Sequence, residues 1–285
     1  MLYHEFEMKI IRISCILLAV LLSAACSGPA GTASEGQDPP SSIRDIPVPK
    51  GYARAYDEQD PFCVYLQSLR LKSPGTVARA YNGKVSEYDH LTHAVLRMSI
   101  GGDPYLQCAD AIIKLRSEFL WNAGREDDIS FHFTNGFECP YPRWRDGARP
   151  AKAGDDVFWC DGAASPDSSF ASFQAYLHVL YTFAGTKSLA DEMEPVPEKD
   201  GIRVGDVLNV GGTPGHAMIV ADVAVNKLTG RQAVLLVQGN TPAQDLIVLK
   251  NVKNPGLSPW FRVRCGVVRT EKWTYEMDKH HFRFK

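Results

Sequence analysis

Apolar residues recur along the chain in two periods, and the change from one to the other divides it. Up to about residue 190 the spacing is helical. The run PFCVYLQSL follows Asp60, a natural N-cap, and places Pro61 at the first helical position. A second helix is predicted to open near Asp103 and Pro104 and to run through YLQCADAIIKLRSEFLWN to a stop at Gly124. It sets Cys108, Ile112, Leu115 and Phe119 on one face. A third is predicted over 169–183, capped by Ser168 or Ser169 and stopped at Gly185, with Phe173, Tyr176, Leu177 and Leu180 turned inward. From Ile202 onward the pattern is that of strands: VGDVLNV, HAMIVADVAV, AVLLVQG, DLIVLKN and WFRVRCGVV. Helices followed by antiparallel strands predict an α+β fold.

Two N-terminal stretches lie outside that pattern. Lys9 and Arg12 precede a largely apolar run over 13–22, followed by Ser23, Ala24, Ala25 and Cys26, the order of a charged n-region, an h-region and a lipobox. The run is well short of the roughly 20 residues a membrane span needs. It is therefore expected to target the chain and to be removed after residue 25, leaving lipid on Cys26. Ser23 stands where a large aliphatic residue is usual, with Leu22 one place further out. Glu5 and Glu7 sit where positive charge belongs, whereas MKIIRIS suits an n-region, so Met8 is the expected start. Residues 26–50 are rich in Gly, Ser, Pro and Ala and read as a flexible tether. One globular domain is expected over 51–285. The lipid would make the membrane a partner and place the protein in the outer membrane, facing the periplasm.

Composition narrows the chemistry. Apolar residues make up 45% of the chain, enough for one sizeable core. A net charge of −2 without an arginine-rich run gives nothing with which to neutralise phosphate backbones, so nucleic acid is not expected as a partner. Beyond Cys26 stand Cys63, Cys108, Cys139, Cys160 and Cys265, an odd set that leaves at least one thiol without an intramolecular partner in an oxidising compartment. There is no CxxC pair, HExxH, GxSxG, Ser-x-x-Lys or glycine-rich phosphate loop. His280 and His281 lack further ligands at usable spacing, and neither a metal nor a cofactor is expected.

The most informative stretch is the hairpin over 216–240, whose apolar arms flank the turn NKLTGR. A turn centred near Lys227 or Leu228 sets His216 across from Gln238, Gly239 or Asn240. Alternation puts His216, Met218, Val220 and Asp222 on one face. At about 3.3 Å per residue Asp222 lies too far along to touch His216. Gln238 is the better orienting partner. A thiol hydrolase of papain type needs a cysteine on a helix, a later histidine opening a strand, and an amide or acid on the next strand. Cys108, His216 and Gln238 follow that order. Cys108 would attack an acyl carbon, His216 would take its proton and return it to the leaving amine, and Gln107 would lend a donor to the oxyanion.

Plainer readings stand beside these. Cys108 falls on an apolar face and, in the predicted helix, in the second turn, where the dipole that lowers a thiol pKa fades. A buried inert cysteine fits as well. If Cys108 is the nucleophile, its thiol is expected to be the free one while the other four pair. A non-catalytic binding lipoprotein is the alternative, with Gln107, Trp144, Asp222 and Trp260 joining His216 and Gln238 around a glycan or peptide. The carboxylates Asp110, Glu118 and Asp222 have no spacing that selects a glycosidase pair.

GDVLNVGGTPGHAMIVADV resembles the strand-loop-strand unit of NlpC-type and CHAP-type cell-wall peptidases, in which a glycine-aspartate opens one strand and the catalytic histidine the next. That resemblance implies a papain-like, NlpC-like domain acting on cell-wall peptide or another amide. A longer resemblance is carried by LQCADAIIKLRSEFLW at 106–121, ISFHFTNGF at 129–137, AYLHVLYTFAGTKSL at 175–189, GDVLNVGGTPGHAMIVADVA at 205–224, LLVQGNTPAQDLIVLKN at 235–251 and SPWF at 258–261. Over these segments the chain resembles a family of Gram-negative lipoproteins catalogued as domain of unknown function 4846. It implies a single domain without an assigned reaction. Gly239-Asn240 departs from that family's serine-tyrosine pair, and Cys160 is peculiar to this chain.

Overall fold

The computed structural model describes residues 39–285, apart from 56 and 155. The expected signal segment, the lipidation residue Cys26 and most of the tether lie outside the described residues. Helix α1 (Pro61–Ser68) starts as its sequence predicts, with the Asp60 carboxylate accepting from the amides of Phe62 and Cys63 at 2.8 and 3.2 Å.

Helix α2 (Cys108–Asn122) starts four residues later than Pro104 suggests. Asp103 accepts from the Tyr105 amide at 2.9 Å and the Gln107 amide reaches the Tyr105 carbonyl at 2.8 Å, which folds 103–107 into a turn. The Gln107 amide also donates to Asp110 at 2.9 Å, the acidic arm of a capping box. Cys108 is thereby the first helical residue. At the other end Gly124, at φ +67°, donates to the Trp121 carbonyl and stops the helix.

Helix α3 (Tyr141–Arg145) is a short turn without sequence signal. Helix α4 (Phe170–Phe183) takes its cap from Ser169, which accepts from the Ser172 amide at 3.2 Å, and α5 (Thr186–Asp191) follows directly.

Among the described residues nine strands form one antiparallel sheet. Its central order is Thr92–Val95, Ile247–Leu249, Gln232–Gln238, His216–Asn226, Val207–Val210, His281–Phe284 and Met193–Pro195. Tyr52–Ala55 pairs the far half of the long strand His216–Asn226, and Phe261–Arg262 pairs Gln232–Gln238. The class is thus mixed α+β and sheet-dominated. The strands before residue 202 are short and half-exposed, which leaves no periodic signal for them.

The predicted hairpin is present, with one irregularity. Asp222 faces Leu235 while Val220 faces Leu236, so Ala221 is an extra residue in the long strand, a bulge that interrupts the alternation read from the sequence. The long strand is buried from His216 through Ala224 and packs against α1 and α2.

Two carboxylates tie the sheet together. Asp222, fully buried, accepts from Arg54 at 2.6 Å and from Gln67 at 2.7 Å, fastening the Tyr52–Ala55 strand and α1 to the long strand. Asp206, of the glycine-aspartate pair, accepts from the Arg203 amide at 2.8 Å, from His281 at 2.6 Å and from Arg283 at 2.6 and 2.9 Å. Gly205 beside it, at φ +91°, has Phe62 against its backbone, where a Cβ would meet the ring at 3.1 Å.

Cys63, Cys108 and Cys139 are buried and Cys160 and Cys265 exposed, and all five are free. The expectation that four of them pair is overturned. The three buried thiols are spread over α1, α2 and the Glu138–Pro140 strand, and Cys63 and Cys139 pack in the hydrophobic core as small apolar side chains. Among the described residues no helix is long and apolar enough to cross a membrane.

Candidate functional site

His216 opens the long strand, and the loop before it has little freedom. A Cβ on Gly215 would lie 2.4 Å from both the Gly212 carbonyl oxygen and the Thr186 hydroxyl, so only glycine permits this approach between the loop and α5. The ring is 5% exposed. Its Nε2 lies 2.9 Å from Gln238 Oε1, and its plane stacks on Trp273 at 5.3 Å and 11°. Strand pairing runs Leu236 to Val220 and Val237 to Ile219, so Gln238 reaches His216 along the diagonal of one sheet face. Because an amide oxygen carries no proton, Nε2 must donate, and the basic lone pair is left on Nδ1. Burial pushes the imidazole below its ordinary 6.5, against the Gln238 bond and helped by the charge of Lys272. The ring is neutral at pH 7.

Cys108 comes to the same strand from the helix side. Cys108 is 6% exposed, and the backbone amide of Ala217, the residue after His216, lies where it favours the thiolate. Burial pushes the thiol pKa up, opposed by that amide and by the amides of Ala109 and Cys108 in the first helical turn, while the carboxylate of Asp110 adds to the rise. The cysteine is therefore a protonated thiol at rest. Among the described residues Cys108 and His216 share no hydrogen bond, and the ring is held by Gln238.

Gln107 and Gly239 explain how helix and strand meet. A Cβ on Gly239 would lie 2.7 Å from the Gln107 carbonyl oxygen and 3.2 Å from Ala111, so the bare glycine lets the end of Gln232–Gln238 approach the start of α2. The Thr241 hydroxyl donates to Gln107 Oε1 at 2.8 Å, which fixes the side-chain amide and leaves its NH2 as a donor.

Two further residues had no sequence motif to announce them. Trp273 and Tyr275 come from the ribbon formed by Val267–Arg269 and Thr274–Glu276. Tyr275 is fully buried, its hydroxyl has no hydrogen-bond partner among the described residues, and the Cys108 thiol is within electrostatic reach of it. A buried donor without an acceptor, beside a nucleophile candidate, is chemically suggestive.

A cavity of about 30 Å³ opens beside the ring, lined by His216, Gln238, Asn240, Lys250, Lys272 and Trp273. That is room for about one water. The other sequence-selected residues lie elsewhere. Trp144 is buried under Arg149 with its indole donating to Ser172 at 3.1 Å, and Trp260 is buried with its indole donating to the Pro47 carbonyl at 2.8 Å. Asp222 is taken up by Arg54 and Gln67. None of these three lines the cavity at His216. Among the described residues no three His, Cys, Asp or Glu side chains are grouped to hold a metal.

The family model described as Domain of unknown function (4846) matches residues 43–282. No curated protein and no solved structure matches the chain.

Proposed function

The chain belongs to that family of unknown function, and from this premise we propose that it is a papain-like thiol hydrolase cutting an amide of cell-wall peptide or a similar substrate. The observation that carries this reading is the 2.9 Å bond from His216 Nε2 to Gln238, on a strand whose next residue, Ala217, brings its backbone amide close enough to the Cys108 thiol to favour the thiolate. The signal-like N-terminus supports the further proposal that lipid on Cys26 holds the domain at the outer membrane, facing the periplasm.

In this mechanism His216 Nδ1 takes the Cys108 proton as the sulfur attacks the carbonyl carbon. The C–S bond forms, the C–N bond breaks, and the proton passes from Nδ1 to the leaving amine. Water then attacks the thioester, again with His216 as base, and frees the acid and the thiol. The Gln107 NH2, the Cys108 amide and the Tyr275 hydroxyl are the candidate donors to the tetrahedral oxyanion. With the thiol pKa raised and the imidazole pKa lowered, the resting pair is uncharged, and proton transfer waits for substrate.

A non-catalytic peptide- or glycan-binding role is the second reading. The absence of a thiol–imidazole bond among the described residues and the small cavity favour it. The full-length protein, incubated with peptidoglycan peptides, separates the two. Hydrolysis should yield free amine and a trapped thioester on Cys108, and Cys108→Ala and His216→Ala should each cost at least about a hundredfold in kcat. Binding without turnover, equal in both variants, would retire the hydrolase.

A further inference from the structure

A second cavity, of about 280 Å³, shares no lining residue with the one at His216. Its wall carries Arg116, Arg125, Arg203, Arg283 and Lys285 against one acid, Asp60, and its floor is Phe62, Phe119 and Phe284. These cations are not equivalent. Arg283 is committed to Asp206, and Arg125 donates to Asp128 at 2.6 Å. Arg116 has no Asp or Glu ion-pair partner among the described residues. Its guanidinium lies 5.0, 5.5 and 5.1 Å from the ring centres of Phe62, Phe119 and Phe284, and its Nη2 reaches only the main-chain oxygen of Lys285, at 3.4 Å. The Arg203 side chain makes no ion pair or hydrogen bond among the described residues. Asp60 offers little compensation, since one of its oxygens already serves the amides of Phe62 and Cys63.

Two guanidinium groups without an Asp or Glu partner, with three more cations lining the same cavity, are an unfavourable grouping. Like charges repel, and a partly desolvated cation lacks the anion that would offset its burial. Burial and the neighbouring Arg125 both push the Arg116 pKa below its ordinary value. We propose that this cavity is a binding site for a phosphate monoester. The dianion matches two free guanidinium groups better than a single carboxylate does, and the guanidinium fork suits its oxygens. A cavity of this volume with an aromatic floor has room for an organic group on the phosphate, which a lipid headgroup or a soluble phosphorylated compound would supply. The proposal is independent of the thiol chemistry.

The test uses the full-length chain in detergent at low ionic strength, titrated calorimetrically with inorganic phosphate. Saturable one-to-one binding is expected, tighter as pH rises through about 7, where inorganic phosphate loses its second proton, about one unit above the monoesters. Arg203→Gln should weaken it by about tenfold or more. Arg116→Lys, which keeps the charge and the packing stem, should weaken it too, because the fork is lost. Circular dichroism melts show whether each variant is folded. A short-chain phosphatidic acid that displaces phosphate far better than glycerol phosphate would assign the source to lipid, whereas equal displacement would assign it to a soluble ester. Absence of phosphate binding, or binding that folded Arg203→Gln and Arg116→Lys both leave unchanged, overturns the proposal.

Discussion

One acceptor oxygen on Gln238 decides which nitrogen of His216 is basic, and burial decides that the ring is uncharged. Both effects are measurable. Gln238→Glu places a carboxylate on Nε2 and should raise the imidazole pKa, whereas Gln238→Ala removes the bond that favours the protonated ring and should lower it further. Titration of the ring by NMR reads the two directions. Linkage gives a second check. The folded pKa lies below 6.5, so as pH falls through 6.5 the unfolded chain takes up a proton that the folded chain refuses, and stability falls with it. Replacing His216 by Gln should flatten that loss between about pH 7 and 5 in denaturant titrations. For turnover, a base with a lowered pKa keeps the acid limb of kcat/KM below pH 6.5. A limb above that value would mean that another group is the base. At Cys108 the sign is opposite: Asp110→Asn removes a charge that holds the thiol proton, so alkylation of Cys108 should begin at lower pH than in the parent protein.

The junction of α2 with the Gln232–Gln238 strand depends on contacts that local sequence does not encode. Asp60, Pro61 and Ser169 marked two helix starts because caps and their helices are neighbours in sequence. The start of α2 was misread because Pro104 looks like a first helical residue, while the features that place Cys108 first are the reach of Asp110 back to Gln107 and the turn around Asp103. The hairpin could be read from its turn and its apolar arms, which brought His216 and Gln238 together. The bulge at Ala221 could not, nor could the ribbon that delivers Trp273 and Tyr275, since both depend on packing against distant parts of the chain. Gly239 offers a test of the junction. Gly239→Ser puts a Cβ 2.7 Å from the Gln107 carbonyl oxygen and should cost about 1–3 kcal/mol in chemical denaturation. Thr241→Val removes a single hydroxyl from Gln107 and should cost about 1 kcal/mol or less. If Gln107 donates to the oxyanion, kcat falls in that variant with little change in KM.

Across the whole molecule the free thiols divide by exposure. At neutral pH native alkylation of the described residues should modify Cys160 and Cys265 and spare the buried, protonated thiols of Cys63, Cys108 and Cys139, and peptide mass mapping distinguishes the sets. Odd counting of cysteines requires only that one thiol be left over, whereas all five described thiols are free. The ion pair of Arg54 and Asp222 joins residues far apart in sequence, and Asp222→Ala would leave Arg54 without its anion at a cost of about 3 kcal/mol.

The sheet also constrains the time course of folding. Among the described residues Thr92–Val95 joins the sheet through Ile247–Leu249, and Met193–Pro195 joins through His281–Phe284, which also pairs Val207–Val210. Each early strand thus waits for a late one, and these long loop closures must be made before the pairings reward them. A nascent chain halted before residue 247 can form its helices but lacks the mates for Thr92–Val95 and Met193–Pro195. Ribosome-bound lengths ending between residues 247 and 281 should therefore be protease-sensitive at 193–195, and become resistant only when residues 281–284 have emerged.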